Sequence, residues 1–159
     1  MLINHILETK TSLNLKGVAG VGKTYLLKKL VMAAIANDLF ETIEILTLSP
    51  EDWSFINSYN TVELTNLSAL MEKGSNSATT SKLMIVDGFS EIISYDSFLS
   101  KSENVQESRN FLENYILQLD VSATSKICVS DQQECLTLRG QKIKFCSRKK
   151  YIFEEEVEL

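Results

Sequence analysis

A chain of 159 residues, 44% hydrophobic and 23% charged, carries enough apolar material for one globular core and no run long enough to cross a bilayer. The net charge of −5 argues against non-specific nucleic-acid binding by the whole surface, and no signal peptide is expected, which points to one compact cytoplasmic domain over residues 1–159. A lone histidine, His5, leaves no Ser–His or Cys–His pair for the core, and Cys128, Cys135 and Cys146 are spaced neither as a close pair nor as a zinc knuckle.

Residues 1–9 read as a short helical or irregular lead-in, and Ser12, Leu13, Asn14 and Leu15 alternate as a strand that runs to Lys16. Gly17, Val18, Ala19, Gly20, Val21, Gly22, Lys23 and Thr24 then fit G-x-x-x-x-G-K-[ST], the phosphate-binding loop pattern. Its glycines let successive backbone N–H groups turn toward phosphate oxygens without a Cβ in the way. Lys23 is expected to reach the β- and γ-phosphates, Thr24 to offer its hydroxyl to Mg²⁺, and Tyr25 to continue the binding segment. Leu26, Leu27, Leu30, Val31, Ala34 and Ile35 recur at helical spacing, so a helix is expected to about Asp38.

Residues 42–48 alternate as a second strand, ended by Ser49 and the only proline, Pro50. Ser49 as cap, Pro50 at the first helical position and Glu51 and Asp52 at the positive end predict a helix start. Trp53, Phe55, Ile56 and Tyr59 read as core packing rather than a base-stacking platform. Residues 64–71 read as a short helix and 74–81 as an exposed loop. Residues 82–87 form an apolar run ending in Asp87, the Walker B pattern, so Asp87 is the candidate magnesium-side carboxylate.

A polar stretch is expected to about Val105, then a helix over 107–119 with Phe111, Leu112, Tyr115, Ile116 and Leu119 on one face. Residues 126–133 read as a core strand with a polar end. If that strand lies between the loop strand and the Asp87 strand, Ser130, Asp131 and Gln132 are candidates for sensing the γ-phosphate; the alternative is that they are surface polar residues. Residues 142–145 and 151–153 are expected to close the sheet as edge strands. Over 139–159 a basic run, Arg139, Lys142, Lys144, Arg148, Lys149 and Lys150, precedes Glu154, Glu155, Glu156 and Glu158. This pattern suits a hairpin pairing basic against acidic strands, or a nucleic-acid or phosphate-binding patch.

The order of phosphate loop, Asp-ending strand and polar-ending strand resembles the additional-strand class of P-loop ATPases, which includes AAA+, RecA-like and FtsK/HerA-like motors. Residues 45–51, 83–89 and 127–132, with Lys144 and Phe145, are most similar to a reduced FtsK/HerA-like domain. The resemblance implies an α/β three-layer sandwich with a mostly parallel central sheet, ATP and Mg²⁺ as ligands, and oligomeric assembly on a DNA or protein substrate. Members of the class commonly place a glutamate directly after the Walker B aspartate, and here that position is Gly88. The resemblance leaves Glu91 and Glu51 as the acids that can orient water, and Arg148 as the arginine offered to a neighbouring subunit. A small nucleotide or metabolite kinase, with Arg139 near a lid-like turn, and a regulatory protein with a degenerate nucleotide site are the competing readings. A GTPase is disfavoured because no Asn-Lys-x-Asp occurs.

Overall fold

Alternation of short apolar runs with amphipathic segments produces an α/β fold around one sheet. The computed structural model describes residues 12–18, 22–73, 81–99, 105–120, 125–132, 140–147 and 150–154. In chain order the elements are β1 (Ser12–Lys16), α1 (Lys23–Ala36), β2 (Thr42–Thr47), a 3₁₀ helix (Pro50–Ile56), β3 (Val62–Thr65), α2 (Leu67–Lys73) and β4 (Lys82–Asp87). They continue with α3 (Phe89–Leu99), α4 (Val105–Asp120), β5 (Lys126–Asp131), β6 (Gly140–Ser147) and β7 (Lys150–Glu154).

The seven strands lie in the order β3-β2-β4-β5-β1-β6-β7. Every neighbouring pair is parallel except β6 and β7, which run antiparallel. Strands buried on both faces need apolar side chains throughout, which is why β4 and β5 are near-continuous hydrophobic runs. The order puts β5 between β1 and β4, the arrangement on which the Ser130–Gln132 expectation depended. Registry aligns the carboxyl ends: Thr47 pairs with Asp87, Asp87 with Ser130, and Lys16 with Asp131.

Alternate residues of these strands feed two cores. On one face Leu13, Leu15, Ile43, Ile45, Leu83, Ile85 and Cys128 meet Leu27, Leu30 and Val31 of α1 and Trp53 and Ile56 of the 3₁₀ helix. On the other, Leu46, Met84, Val86, Ile127 and Val129 meet Leu70 of α2, Phe89 and Ile92 of α3, and Leu112 and Ile116 of α4. Helices therefore cover both faces.

The local readings need four adjustments. The first helix stops at Ala36, and Asp38 closes it in the left-handed region at φ 50°. The segment after Pro50 is a 3₁₀ helix, and Ser49 makes no side-chain cap; its backbone N–H instead donates to Thr47 Oγ1 at 3.1 Å. Trp53 and Ile56 are buried as expected, whereas Phe55 and Tyr59 are exposed, with Phe55 stacked on Trp53 at 6.0 Å between centroids. The segment read as one helix over 64–71 splits into the end of β3 and α2, because Val62–Thr65 finds a pairing partner in β2. Residues 88–105, expected as a polar stretch, contain α3, whose Phe89, Ile92 and Ile93 are buried at helical spacing. The loop expected over 74–81 lies outside the described residues except for Ser81. The β6–β7 hairpin places Lys142 opposite Glu154 in register, one basic–acidic pairing of the kind the tail composition suggested. No described helix is long and apolar enough to cross a membrane.

Candidate functional site

The glycine-rich segment leaves β1 at its carboxyl end and returns as α1, so the first turn of α1 stands over the ends of β1, β5 and β4. Ala19, Gly20 and Val21 lie outside the described residues. Gly22 takes φ 109°, a left-handed conformation that suits a residue without a Cβ, and its carbonyl accepts the first helical hydrogen bond, from Leu26 N–H at 3.1 Å. Lys23 and Thr24 therefore occupy the first turn, half-buried, while Val18 and Tyr25 on either side are exposed.

Thr24 Oγ1 donates to Asp87 Oδ1 at 2.9 Å, joining residues 63 positions apart. Ser130, only 1% exposed, donates to the same Oδ1 at 3.3 Å, and its Oγ accepts Gly88 N–H at 2.9 Å. Two hydroxyls thus fix Asp87, one from α1 and one from β5. Lys23 Nζ donates to the carbonyls of Gly17 and Asp131, the latter at 3.1 Å, and Gly17 N–H donates to the same Asp131 carbonyl at 3.1 Å. These contacts tie the start of the loop to the end of β5. Burial lowers the pKa of Lys23 from its ordinary value, and the charges of Asp131, Glu91 and Asp87, in that order, oppose the shift.

The candidates named for γ-phosphate sensing take distinct places. Ser130 faces Asp87, and Gln132 is exposed. The Asp131 carboxylate is turned inward at 6% exposure, where Oδ2 accepts the Ser90 hydroxyl at 2.5 Å and Oδ1 accepts Gln132 N–H at 2.9 Å. Ser90 was not singled out in the sequence because it fell in a stretch read as polar. The signal for it was the apolar spacing of Phe89, Ile92 and Ile93, which marks a helix starting directly after Gly88.

Glu91 is exposed in the first turn of α3, close enough to Lys23 for its charge to act there. Glu51 is exposed in the first turn of the 3₁₀ helix, and no hydrogen bond or ion pair joins it to Lys23, Thr24 or Asp87. Arg139 and Arg148 lie outside the described residues. Among the described residues no three His, Cys, Asp or Glu side chains cluster as a metal cage. Thr24 and Asp87 nevertheless offer two convergent oxygens, the donor type Mg²⁺ takes when it keeps waters and shares its shell with phosphate oxygens.

Beside this group a pocket of about 470 Å³ opens at the carboxyl ends of β2 and β3, lined by Leu46, Thr47, Leu48, Leu64, Thr65 and Ile92 among others. Thr47 is the strand neighbour of Asp87, so the pocket and the Asp87 group share one edge of the sheet. No protein family matches the chain, and no curated protein matches it.

Proposed function

We propose that the chain is a Mg·ATP-binding P-loop ATPase module, built as a three-layer α/β sandwich, which couples nucleotide state to movement or assembly of a DNA or protein partner in the cytoplasm. The Thr24–Asp87 hydrogen bond carries this reading: a hydroxyl from the first turn after a G-x-x-x-x-G-K-T loop meets the carboxylate of an apolar strand two places away in the sheet. Chance matches to the loop pattern have no reason to produce that meeting.

In this reading Gly17 to Gly22 present backbone N–H groups to the phosphates, and Lys23 exchanges its carbonyl partners for β- and γ-phosphate oxygens. Half-burial raises the effect of its charge on them. Thr24 and Asp87 hold Mg²⁺, with Ser130 fixing the Asp87 carboxylate from behind. Bound Mg²⁺ supplies charge neutralisation at the phosphoryl oxygens. The lysine, the hydroxyl and the carboxylate come from rigid elements, which suits a reaction governed by positioning and charge. Assembly into a homo-oligomer, with Arg148 reaching a neighbour's nucleotide, belongs to the same proposal.

The pocket beside Asp87 favours a second reading, a small-molecule kinase with an acceptor seated at the ends of β2 and β3. Steady-state hydrolysis of Mg·ATP, with and without DNA and with Lys23→Ala as control, separates the two. DNA-stimulated turnover that Lys23→Ala abolishes supports the ATPase module. Turnover that only a small hydroxyl acceptor raises supports the kinase.

A further inference from the structure

Resting on the ATPase reading, the inference concerns which acid holds the attacking water. The position after Asp87 is Gly88, at φ 92°, with no side chain to offer. A Cβ built at Gly88 would lie 3.3 Å from Glu91 Oε2 and 3.7 Å from Glu91 Cβ and Cδ. The Glu91 carboxylate is therefore folded back over the Gly88 backbone, into the space that a side chain at position 88 would take. A side chain at 88 and the Glu91 carboxylate exclude one another.

The turn that presents Glu91 is anchored on both sides. Ile92 N–H donates to Gly88 O at 3.0 Å, and Ile92 itself is buried against β4 and β5. Ser90 donates to Asp131 Oδ2, and Asp131 is held in turn by Gln132 N–H. Residues 90 and 92 are thus pinned while Glu91 between them faces solvent. The other acids are engaged or out of reach: Asp87 accepts from Thr24 and Ser130, Asp131 from Ser90 and Gln132, and Glu51 makes no contact with the group. Glu91 holds no hydrogen bond or ion pair with the described residues, and its charge acts on Lys23.

We infer that Glu91 orients the attacking water from the place Gly88 leaves open, with Ser90 and Asp131 as the positioning pair that aims it. A carboxylate there accepts a proton of the water and aligns its oxygen on the phosphoryl group, the task phosphoryl transfer leaves to the protein besides charge stabilisation.

The test compares kcat, KM, Mg·ATP affinity by calorimetry and melting temperature across four variants. Glu91→Gln keeps shape and removes the base; it is expected to lower kcat by about 100-fold while affinity and melting stay at wild-type values. Glu51→Gln is expected to leave kcat unchanged. Ser90→Ala is expected to lower kcat by about tenfold with KM unchanged, and Ser90→Thr to restore it, since the hydroxyl is what reaches Asp131. A Glu91→Gln protein turning over at the wild-type rate overturns the inference alone, as does a wild-type protein that binds Mg·ATP without any turnover. A wild-type protein that does not bind Mg·ATP overturns the ATPase reading and this inference together.

Discussion

Toward the amino ends of the strands, Glu44, Tyr115 and Lys82 form a closed polar group, whereas at the carboxyl edge Lys23, Thr24 and Asp87 form an open one. In the closed group Tyr115 Oη donates to Glu44 Oε1 at 2.7 Å, Lys82 Nζ donates to the same phenol oxygen at 3.3 Å, and Lys82 lies 3.7 Å from Glu44. Glu44 is 5% exposed and covered by α4, so its charge is answered entirely by protein. At the carboxyl edge the same kinds of group, a lysine, a hydroxyl and a carboxylate, are half-buried. There the lysine borrows two backbone carbonyls. Identical chemistry thus serves as an internal fastening where a helix closes over it, and as a binding surface where a loop leaves it reachable.

The largest expected effect separates the two groups by what they lose. Asp87→Ala removes the acceptor of Thr24 and Ser130 and is expected to reduce Mg·ATP affinity by about 100-fold, because two hydroxyls lose their organising carboxylate together with the metal ligand. Calorimetric titration reads it, and affinity in the absence of magnesium should change far less. Glu44→Ala works in the opposite way: it leaves a buried phenol and a partly buried ammonium without their carboxylate, and is expected to cost about 3 kcal/mol of folding stability. Urea unfolding measures the loss, and Mg·ATP affinity of the folded protein should stay at the wild-type value. A Glu44→Ala protein with normal stability and impaired binding would dissolve the distinction.

Ser130→Ala sharpens the comparison because Ser130 belongs to both categories, buried like Glu44 and bonded to the site like Thr24. It should cost about 1 kcal/mol of stability, from the unmet Gly88 N–H, and reduce Mg·ATP affinity by about tenfold through a less constrained Asp87.

The α/β class and the mostly parallel sheet were legible because buried parallel strands leave continuous apolar runs, as in residues 83–86 and 127–129. The site was legible where spacing is dictated by backbone geometry, at residues 17–24, and where a buried run ends in an acid, at Asp87. What escaped was set by tertiary partners. Val62–Thr65 carries no strong strand signal and forms β3 only because β2 offers it an edge. The first turn of α3 holds two polar residues, Ser90 and Glu91, that masked its apolar spacing. Asp131 read as a surface-facing end of β5, yet a single hydroxyl from α3 turns it inward.

The smallest predicted effect lies in the sheet between the two polar groups. Burial pushes the Cys128 thiol up from its ordinary 9.0 to about 11, so it remains protonated and unreactive in the fold. In a Cys135→Ser, Cys146→Ser background, maleimide labelling at pH 8 should proceed only as fast as the protein unfolds. The unfolded chain ionises this thiol near 9 and the folded one only near 11, so stability should decline as pH rises through that window. Cys128→Ala should lessen the decline.

The central claim, that the carboxyl edge binds a nucleoside triphosphate with magnesium, is tested most directly by calorimetric titration of ATP into wild-type and Lys23→Ala protein, with and without Mg²⁺. The account predicts saturable binding that requires magnesium and is lost in Lys23→Ala. Absence of binding to the wild-type protein, or equal binding by the variant, would contradict it.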